Sequence, residues 1–183
     1  MKKVLLFIAV ALMSSGSFAQ SNVMNKGDWM MNIGAGVSNG PGYQGYSYGF
    51  MPSFNFSMEV GLFPTGDVGI VTLGGIADVG FSSYDHYNGW RSKYFSTEVL
   101  FRGAWHLSVW NNTDWDVYAG VDTGIRFNSY SYDNSYADDY KDTDFVVGAF
   151  AGGRWMMKES FGLFAELATS EIAFAKFGVT FKF

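Results

Sequence analysis

The chain has 183 residues, of which 17 are acidic and 12 basic; it contains no cysteine, 23 glycines and 19% aromatic residues. That length makes one domain and not comfortably two. The missing cysteines exclude a disulfide framework and a thiolate metal site, and the acidic balance argues against a nucleic-acid partner, whose phosphates need a basic surface.

The N-terminus reads Lys2-Lys3, then an apolar run from Val4 to Met13, then Ser17-Phe18-Ala19. A basic start, a short greasy centre and small residues before a cut make a secretory signal peptide over residues 1–19. The run is too short for a spanning helix, which takes about 20 residues. Cleavage after Ala19 leaves residues 20–183 as one domain, with ten basic residues against 17 acidic and a net charge of −7. No cysteine follows the cut to carry a lipid anchor.

Beyond residue 19 no apolar run reaches helical spanning length, so any membrane crossing must use strands. Side chains of a strand alternate between its two faces. That period predicts strands at 29–37, 50–62, 69–81, 94–107, 115–127, 145–157, 161–168 and 172–183. Several exceed the usual strand of about 5–6 residues and match a tilted membrane strand of roughly 9–11 residues plus rims. The fourth sets Phe95, Val99, Phe101, Trp105 and Leu107 against Glu98, Arg102 and His106. In the fifth, Trp115, Val117, Ala119, Val121, Thr123, Ile125 and Phe127 oppose Asp116, Tyr118, Asp122 and Arg126. The eighth sets Ala173, Ala175, Phe177, Val179, Phe181 and Phe183 against Lys176, Thr180 and Lys182. No charged residue falls on the apolar face of any strand.

Three features turn that apolar face toward lipid. It carries more Phe and Trp than an eight-stranded interior, which only just holds side chains, can take. The polar face carries many glycines, among them Gly34, Gly36, Gly120, Gly124, Gly148 and Gly152, which make room in a narrow lumen. The connections 38–49, 63–68, 82–93, 108–114, 128–144 and 158–160 alternate long and short, as periplasmic turns and external loops do; only the last, 169–171, breaks step. The expected fold is therefore all-β, an eight-stranded antiparallel up-and-down transmembrane barrel. Trp29, Trp105, Trp110, Trp115 and Trp155 fall at the short-turn ends, and tyrosines such as Tyr94, Tyr130 and Tyr140 near the long loops. Aromatic belts at two membrane interfaces sort residues in this way.

The chain resembles the small outer-membrane β-barrel superfamily of OmpX-like and porin-opacity-like barrels. The resemblance rests on Ser17-Phe18-Ala19-Gln20, Asp116-Val117-Tyr118-Ala119-Gly120-Val121, Phe161-Gly162-Leu163-Phe164-Ala165-Glu166-Leu167 and Phe177-Gly178-Val179-Thr180-Phe181-Lys182-Phe183. It spans the whole mature chain and specifies architecture better than activity. It implies the bacterial outer membrane, lipopolysaccharide as a neighbour, and an assembly machinery that reads Phe177, Val179, Phe181 and Phe183. A peptidoglycan-binding domain after Phe183, which some relatives carry, is expected to be absent.

Lumen-facing charges are expected at Glu59, Asp78, Glu98, Asp116, Asp122 and Glu166 against Arg102, Arg126, Arg154, Lys176 and Lys182. Buried charges need partners, so a packed network filling the barrel is the main expectation and a narrow polar conduit the alternative. His106-Leu107-Ser108 suggests the His and Ser of a lipid A deacylase, but His106 points inward at the wrong end for outer-leaflet lipid. Ser82, Ser83, Asp85 and His86 form a weak palmitoyltransferase-like group. Asp133, Asp138, Asp139, Asp142 and Asp144 lie in the 128–144 connection without the spacing of an EF-hand; a solvated acidic loop is the plainer reading, a divalent-cation site the other. Asn111-Asn112-Thr113 spells a sequon without consequence in a bacterial turn. The reading reached is a non-enzymatic barrel without metal or cofactor, its external loops contacting lipopolysaccharide or another surface ligand. A channel for small or hydrophobic solutes comes second and a lipid A-modifying enzyme third.

Overall fold

The computed structural model describes residues 22–39, 42–43, 46–47, 50–85, 91–108, 113–132 and 139–183. Eight strands carry the fold: β1 Trp29–Asn39, β2 Phe50–Pro64, β3 Gly69–Asp85, β4 Arg91–Leu107, β5 Trp115–Tyr132, β6 Tyr140–Lys158, β7 Phe161–Ala168 and β8 Ala175–Lys182. Each pairs antiparallel with its neighbours in sequence, and β1 pairs with β8, so the sheet closes into a barrel. Closure runs from Met30 opposite Lys182, through Ile33 opposite Val179, to Val37 opposite Ala175. A separate two-stranded ribbon joins Gly42–Tyr43 to Tyr46–Ser47 between β1 and β2. Bulges interrupt the ladder at Gly61/Phe63 and at Met156/Lys158, both near the short turns. The turn from β2 to β3 places Gly66 at φ 68° and Gly69 at φ 142°, which a side chain rarely adopts.

The pleat sorts the side chains. On β5, Trp115, Val121, Ile125 and Phe127 are exposed while Asp116, Tyr118, Asp122 and Arg126 are buried. On β4, Phe101 is 80% exposed and its neighbour Arg102 only 3%. A soluble protein cannot sustain so continuous an apolar exterior; a lipid-facing wall requires one. Trp29, Trp105, Trp115 and Trp155 all face outward near the short turns, with Trp115 and Trp155 stacked at 6.0 Å and the Trp105 indole donating to Thr65 at 3.1 Å. At the opposite end Phe81, Phe95, Phe127 and Phe145 face outward. Tyr94 is instead buried inside, donating to Asn128 at 2.8 Å and packing on Tyr130 at 4.8 Å.

The long-loop ends depart from the sequence-based strand limits. β3, β4, β5 and β6 all run several residues beyond the expected ends, to 85, from 91, to 132 and from 140. Much of the expected acidic loop 128–144 is therefore ladder, with Asn128 opposite Asp142 and Tyr130 opposite Tyr140. The polar residues there show no contrast between faces, so hydrophobic period could not find them. β8 starts at Ala175 rather than 172, and Ala173, expected on the lipid face, is buried with Ile172 inside the rim. The cause is Ser170, whose hydroxyl accepts from the amides of Ile172 and Ala173 and folds the turn inward. Since β7 and β8 stop early, the last pair on the β7 side of β6 is Phe150 with Ala168.

Wall and lumen respond differently to charge. Val121→Arg places a cation against lipid and is expected to destabilise the refolded barrel by about 2–4 kcal/mol. The neighbouring Asp122→Asn changes only interior contacts. Urea unfolding in lipid vesicles measures both; greater tolerance of the Val121 change would reverse the two faces.

Candidate functional site: the charged lumen

Inward-facing positions converge on a narrow axis, and glycines set the spacing. A Cβ on Gly152 would lie 2.7 Å from the Tyr118 hydroxyl, and one on Gly120 would run into the Phe150 ring. These two glycines leave room for Tyr118 and Phe150, which in turn support the arginines: the Arg102 guanidinium lies 3.8 Å over the Phe150 ring and that of Arg154 4.4 Å over Tyr118.

The charges form layers. Nearest the short turns, Arg154 donates to Glu59 and, at 2.9 Å, to Asp116. His106 bridges the same two acids, with Nδ1 at 2.9 Å from Asp116 and Nε2 at 3.2 Å from Glu59. Thr72 donates to Glu59 at 2.7 Å, and Asn32 accepts from Arg154 at 3.3 Å. In the middle, Arg102 grips both Asp122 and Glu166 in two-pronged fashion, at 3.0 Å on one side and 2.8 Å on the other. Planar forks of this kind are the strong form of ion pair. Lys176 lies 2.8 Å from Asp78 and 3.7 Å from Glu166. Toward the long-loop end, Arg126 donates to Glu98 at 3.1 Å and to Glu171 at 2.7 Å. Ser170 donates to Glu98 at 2.6 Å.

Lys182 stands apart from the interior network in which it was expected. It sits at the rim, 2.8 Å from Asp28, and donates to the Val23 carbonyl at 2.7 Å. There it fastens a feature that period-two reading could not reveal. Residues 22–28 tuck under the barrel, and Val23 and Met24 are buried against Met30, Ile70 and Met156. The Gly27 amide donates to Gly61 at 2.8 Å and the Gly61 amide to Asp28 at 3.0 Å. Part burial works to raise the Asp28 carboxyl, but Lys182 and the Asn25 groups outweigh it and hold the carboxyl below its usual range.

The enzyme-like constellations separate. Both ring nitrogens of His106 are engaged by carboxylates, and the Ser108 amide donates to Val68 beyond the strand end. Ser82 is buried on the inner face while Ser83 is exposed on the outer one; His86 lies outside the described residues, as do residues 1–21, Trp110, Asn111 and Asn112. In the acidic segment Asp133 and Asp138 also lie outside them. The others are dispersed: Asp139 accepts from the Tyr132 amide, Asp142 from the Thr143 amide and Asp144 from Asn128. Among the described residues no group of three or more His, Asp and Glu is arranged to hold a metal ion.

Sequence reasoning weighed His106 beside Ser108 and so missed its partners Glu59 and Asp116, which only barrel curvature brings close. It also missed Ser170 and Glu171, because their turn reads as an external loop. Removing one partner from such a network leaves uncompensated charge, so Arg102→Ala is expected to cost about 3–5 kcal/mol. Lys158→Ala, at the exposed end of β6, is expected to stay within about 0.5 kcal/mol. Equilibrium unfolding in lipid measures both, and equal small losses would show that the pairs do not hold the interior together.

No family model and no curated protein matches the chain. Solved structures do. Ail, the attachment invasion locus protein of Yersinia pestis, in complex with the heparin analogue sucrose octasulfate, aligns with a TM-score of 0.57 at 14% identity, over 87% of this chain and 100% of that one. A second crystal structure of Ail gives a TM-score of 0.54 at the same identity and coverage. At such identity the likeness speaks for architecture. With the apolar outer wall and the charged interior, it establishes that the chain has the fold of the small eight-stranded outer-membrane β-barrels.

Proposed function

We propose that the chain is a non-enzymatic integral barrel of the bacterial outer membrane, exported by a signal peptide over residues 1–19. Its short turns and both ends of the mature chain face the periplasm, and its projecting strand ends face the outside. The observation that carries the reading is the pairing of an apolar exterior with a lumen sealed by its own charges. Asp78, Glu98 and Arg154 have no exposed surface at all. A water-filled path would leave them wet. The buried Val23 and Met24 reinforce the seal at the periplasmic mouth.

With the interior occupied, contact with partners falls to the wall and the outer rim. Phospholipid and lipopolysaccharide surround the wall. A surface ligand meets the rim built by the ends of β3, β4, β5 and β6; the attachment name of Ail and its complex with a sulfated ligand support that class of role. Engagement of both His106 nitrogens speaks against a hydrolase. Refolded protein in planar bilayers is expected to give no stable conductance steps, and Arg102→Ala is expected to give none either. Well-resolved openings in the unmodified protein would replace this reading with the channel.

The C-terminal strand adds a role in assembly. Phe183 exchanges two backbone hydrogen bonds with Trp29, at 2.9 and 3.1 Å, and its ring is exposed. Phe177, Val179, Phe181 and Phe183 together form the signal read by the assembly machinery. Deleting Phe183 is expected to reduce stability modestly in detergent refolding and to reduce outer-membrane abundance far more. Equal, small losses in both assays would leave Phe183 as a rim residue only.

A further inference from the structure

The turn between β7 and β8, residues 169–174, is drawn inward across the bore. β4 stands opposite β8 in the closed ring, yet Ser170 donates to Glu98 of β4 at 2.6 Å. Ile172 forms one buried cluster with Met51 of β2 and Tyr94 of β4, against which Tyr130 packs. Glu171 accepts from Arg126 of β5 at 2.7 Å. Glycines on three further strands shape the seat. A Cβ on Gly80 would lie 2.8 Å from the Ile172 side chain, one on Gly36 2.9 Å from Ala173 Cβ, and one on Gly148 3.0 Å from the Thr169 hydroxyl. Ile172 and Ala173 are fully buried in it.

We propose that this turn is a movable lid over the outer mouth of the lumen, latched by Ser170 on Glu98 and by Glu171 on Arg126; the proposal rests on the membrane orientation given above. Attachment is the first argument. Backbone bonds tie the turn at its ends, from the Ala168 amide to the Phe174 carbonyl and from the Thr169 amide to the Ala149 carbonyl, both at 2.9 Å. The Ile172 and Ala173 amides between them donate to the turn's own Ser170 hydroxyl. The tip can therefore swing as a unit while the barrel ladder stays paired. Charge is the second argument, because opening strands none. Arg126 and Glu98 keep each other at 3.1 Å, and Glu171 is already largely exposed.

The third argument is the balance of burial. Closure removes Ile172 and Ala173 from water, which favours it. A Cβ on Gly36 would also lie 2.6 Å from Ser53 Oγ, which places that hydroxyl beside Ala173. It is buried there without a hydrogen-bond partner among the described residues, and an unpaired polar group opposes closure. The two states are thus drawn close in free energy. A surface cavity of about 360 Å³ against Ser170, Glu171 and Phe174 leaves room for the motion. Opening reaches down to Glu98 and Arg126 and stops, since Arg102 is locked to Asp122 and Glu166 and Val23 and Met24 close the far end. The lid covers a blind vestibule.

Two buried hydroxyls without a partner, Ser53 beside the lid and Thr180 opposite Asn32 near the short turns, can be replaced without losing a hydrogen bond. The chain has no cysteine of its own. Ser53→Cys and Thr180→Cys are each refolded into phosphatidylcholine nanodiscs and treated with a charged methanethiosulfonate. Modification is followed by mass spectrometry, and folding is verified by heat-dependent gel mobility. Ser53→Cys is expected to react while the barrel stays folded, and about tenfold faster when Glu171→Gln or Ser170→Ala removes one latch bond. Thr180→Cys is expected to keep one slow rate throughout. Reaction of Ser53→Cys no faster than Thr180→Cys, or a rate indifferent to both latch changes, would overturn the lid and leave a fixed plug. Equal acceleration of both probes would overturn it too, by showing general loosening. Failure of the unmodified chain to insert would overturn the membrane reading and the lid with it. Hydrogen exchange checks the motion without any label. The Ile172 and Ala173 amides are expected to exchange about tenfold faster in Glu171→Gln than in the unmodified protein, with β7 unchanged; equal rates would overturn the latch.

Discussion

In a hydrocarbon layer every backbone N–H and C=O must find its partner within the chain, because each unpaired group costs several kcal/mol. For this molecule the demand is met at one seam, where β1 and β8 join over eight register pairs from Met30–Lys182 to Val37–Ala175. Without that seam two edges would lie open in lipid. The backbone bonds of Phe183 with Trp29 extend the seam to the rim. Closure also fixes the number of strands, and with it the bore, so that everything inside follows from how little space remains.

A small closed bore filled with polar side chains has to balance its charges locally. The barrel does so in stacked groups: Arg154 with Glu59, Asp116 and His106; Arg102 with Asp122 and Glu166; Lys176 with Asp78; Arg126 with Glu98 and Glu171. Arginine predominates because a planar fork satisfies two carboxylates from different strands at once. Among the described residues, Ser53 Oγ, Asn55 Nδ2 and Thr180 Oγ1 are buried without a protein hydrogen-bond partner. Asn55 and Asp78 are cross-strand neighbours on β2 and β3.

Much of this architecture was legible in the sequence, for a physical reason. The pleat forces alternation, and lipid on one side with paired charge on the other makes the alternation visible in Phe101 beside Arg102 and Val121 beside Asp122. Legibility failed where the environment is the same on both faces. The segments 82–85, 129–132 and 140–144 carry Ser, Tyr, Asp, Thr and Lys without an apolar face, so their strands showed no contrast and read as loops. Ala173 followed the strand's parity on paper, but the Ser170 turn pulls it inside. Pairing within the lumen was illegible for another reason. Arg154 and Asn32 are 122 residues apart in the chain, and which acid meets which base depends on barrel shear rather than on sequence distance.

The account stands on one phase: odd positions of β5 in lipid, even positions in a dry, charge-filled lumen. The chain contains no cysteine, so single cysteines carrying spin labels can be placed one at a time from Trp115 to Phe127 in the refolded barrel. Collision rates with oxygen, which concentrates in lipid, and with a water-soluble nickel chelate then report the surroundings of each position. The account predicts oxygen accessibility that alternates with period two, high at 117, 119, 121, 123 and 125 and low to both reagents at 118, 120, 122, 124 and 126. Nickel accessibility at the even positions would mean a wet lumen, and an inverted or absent alternation would contradict the assignment of the two faces.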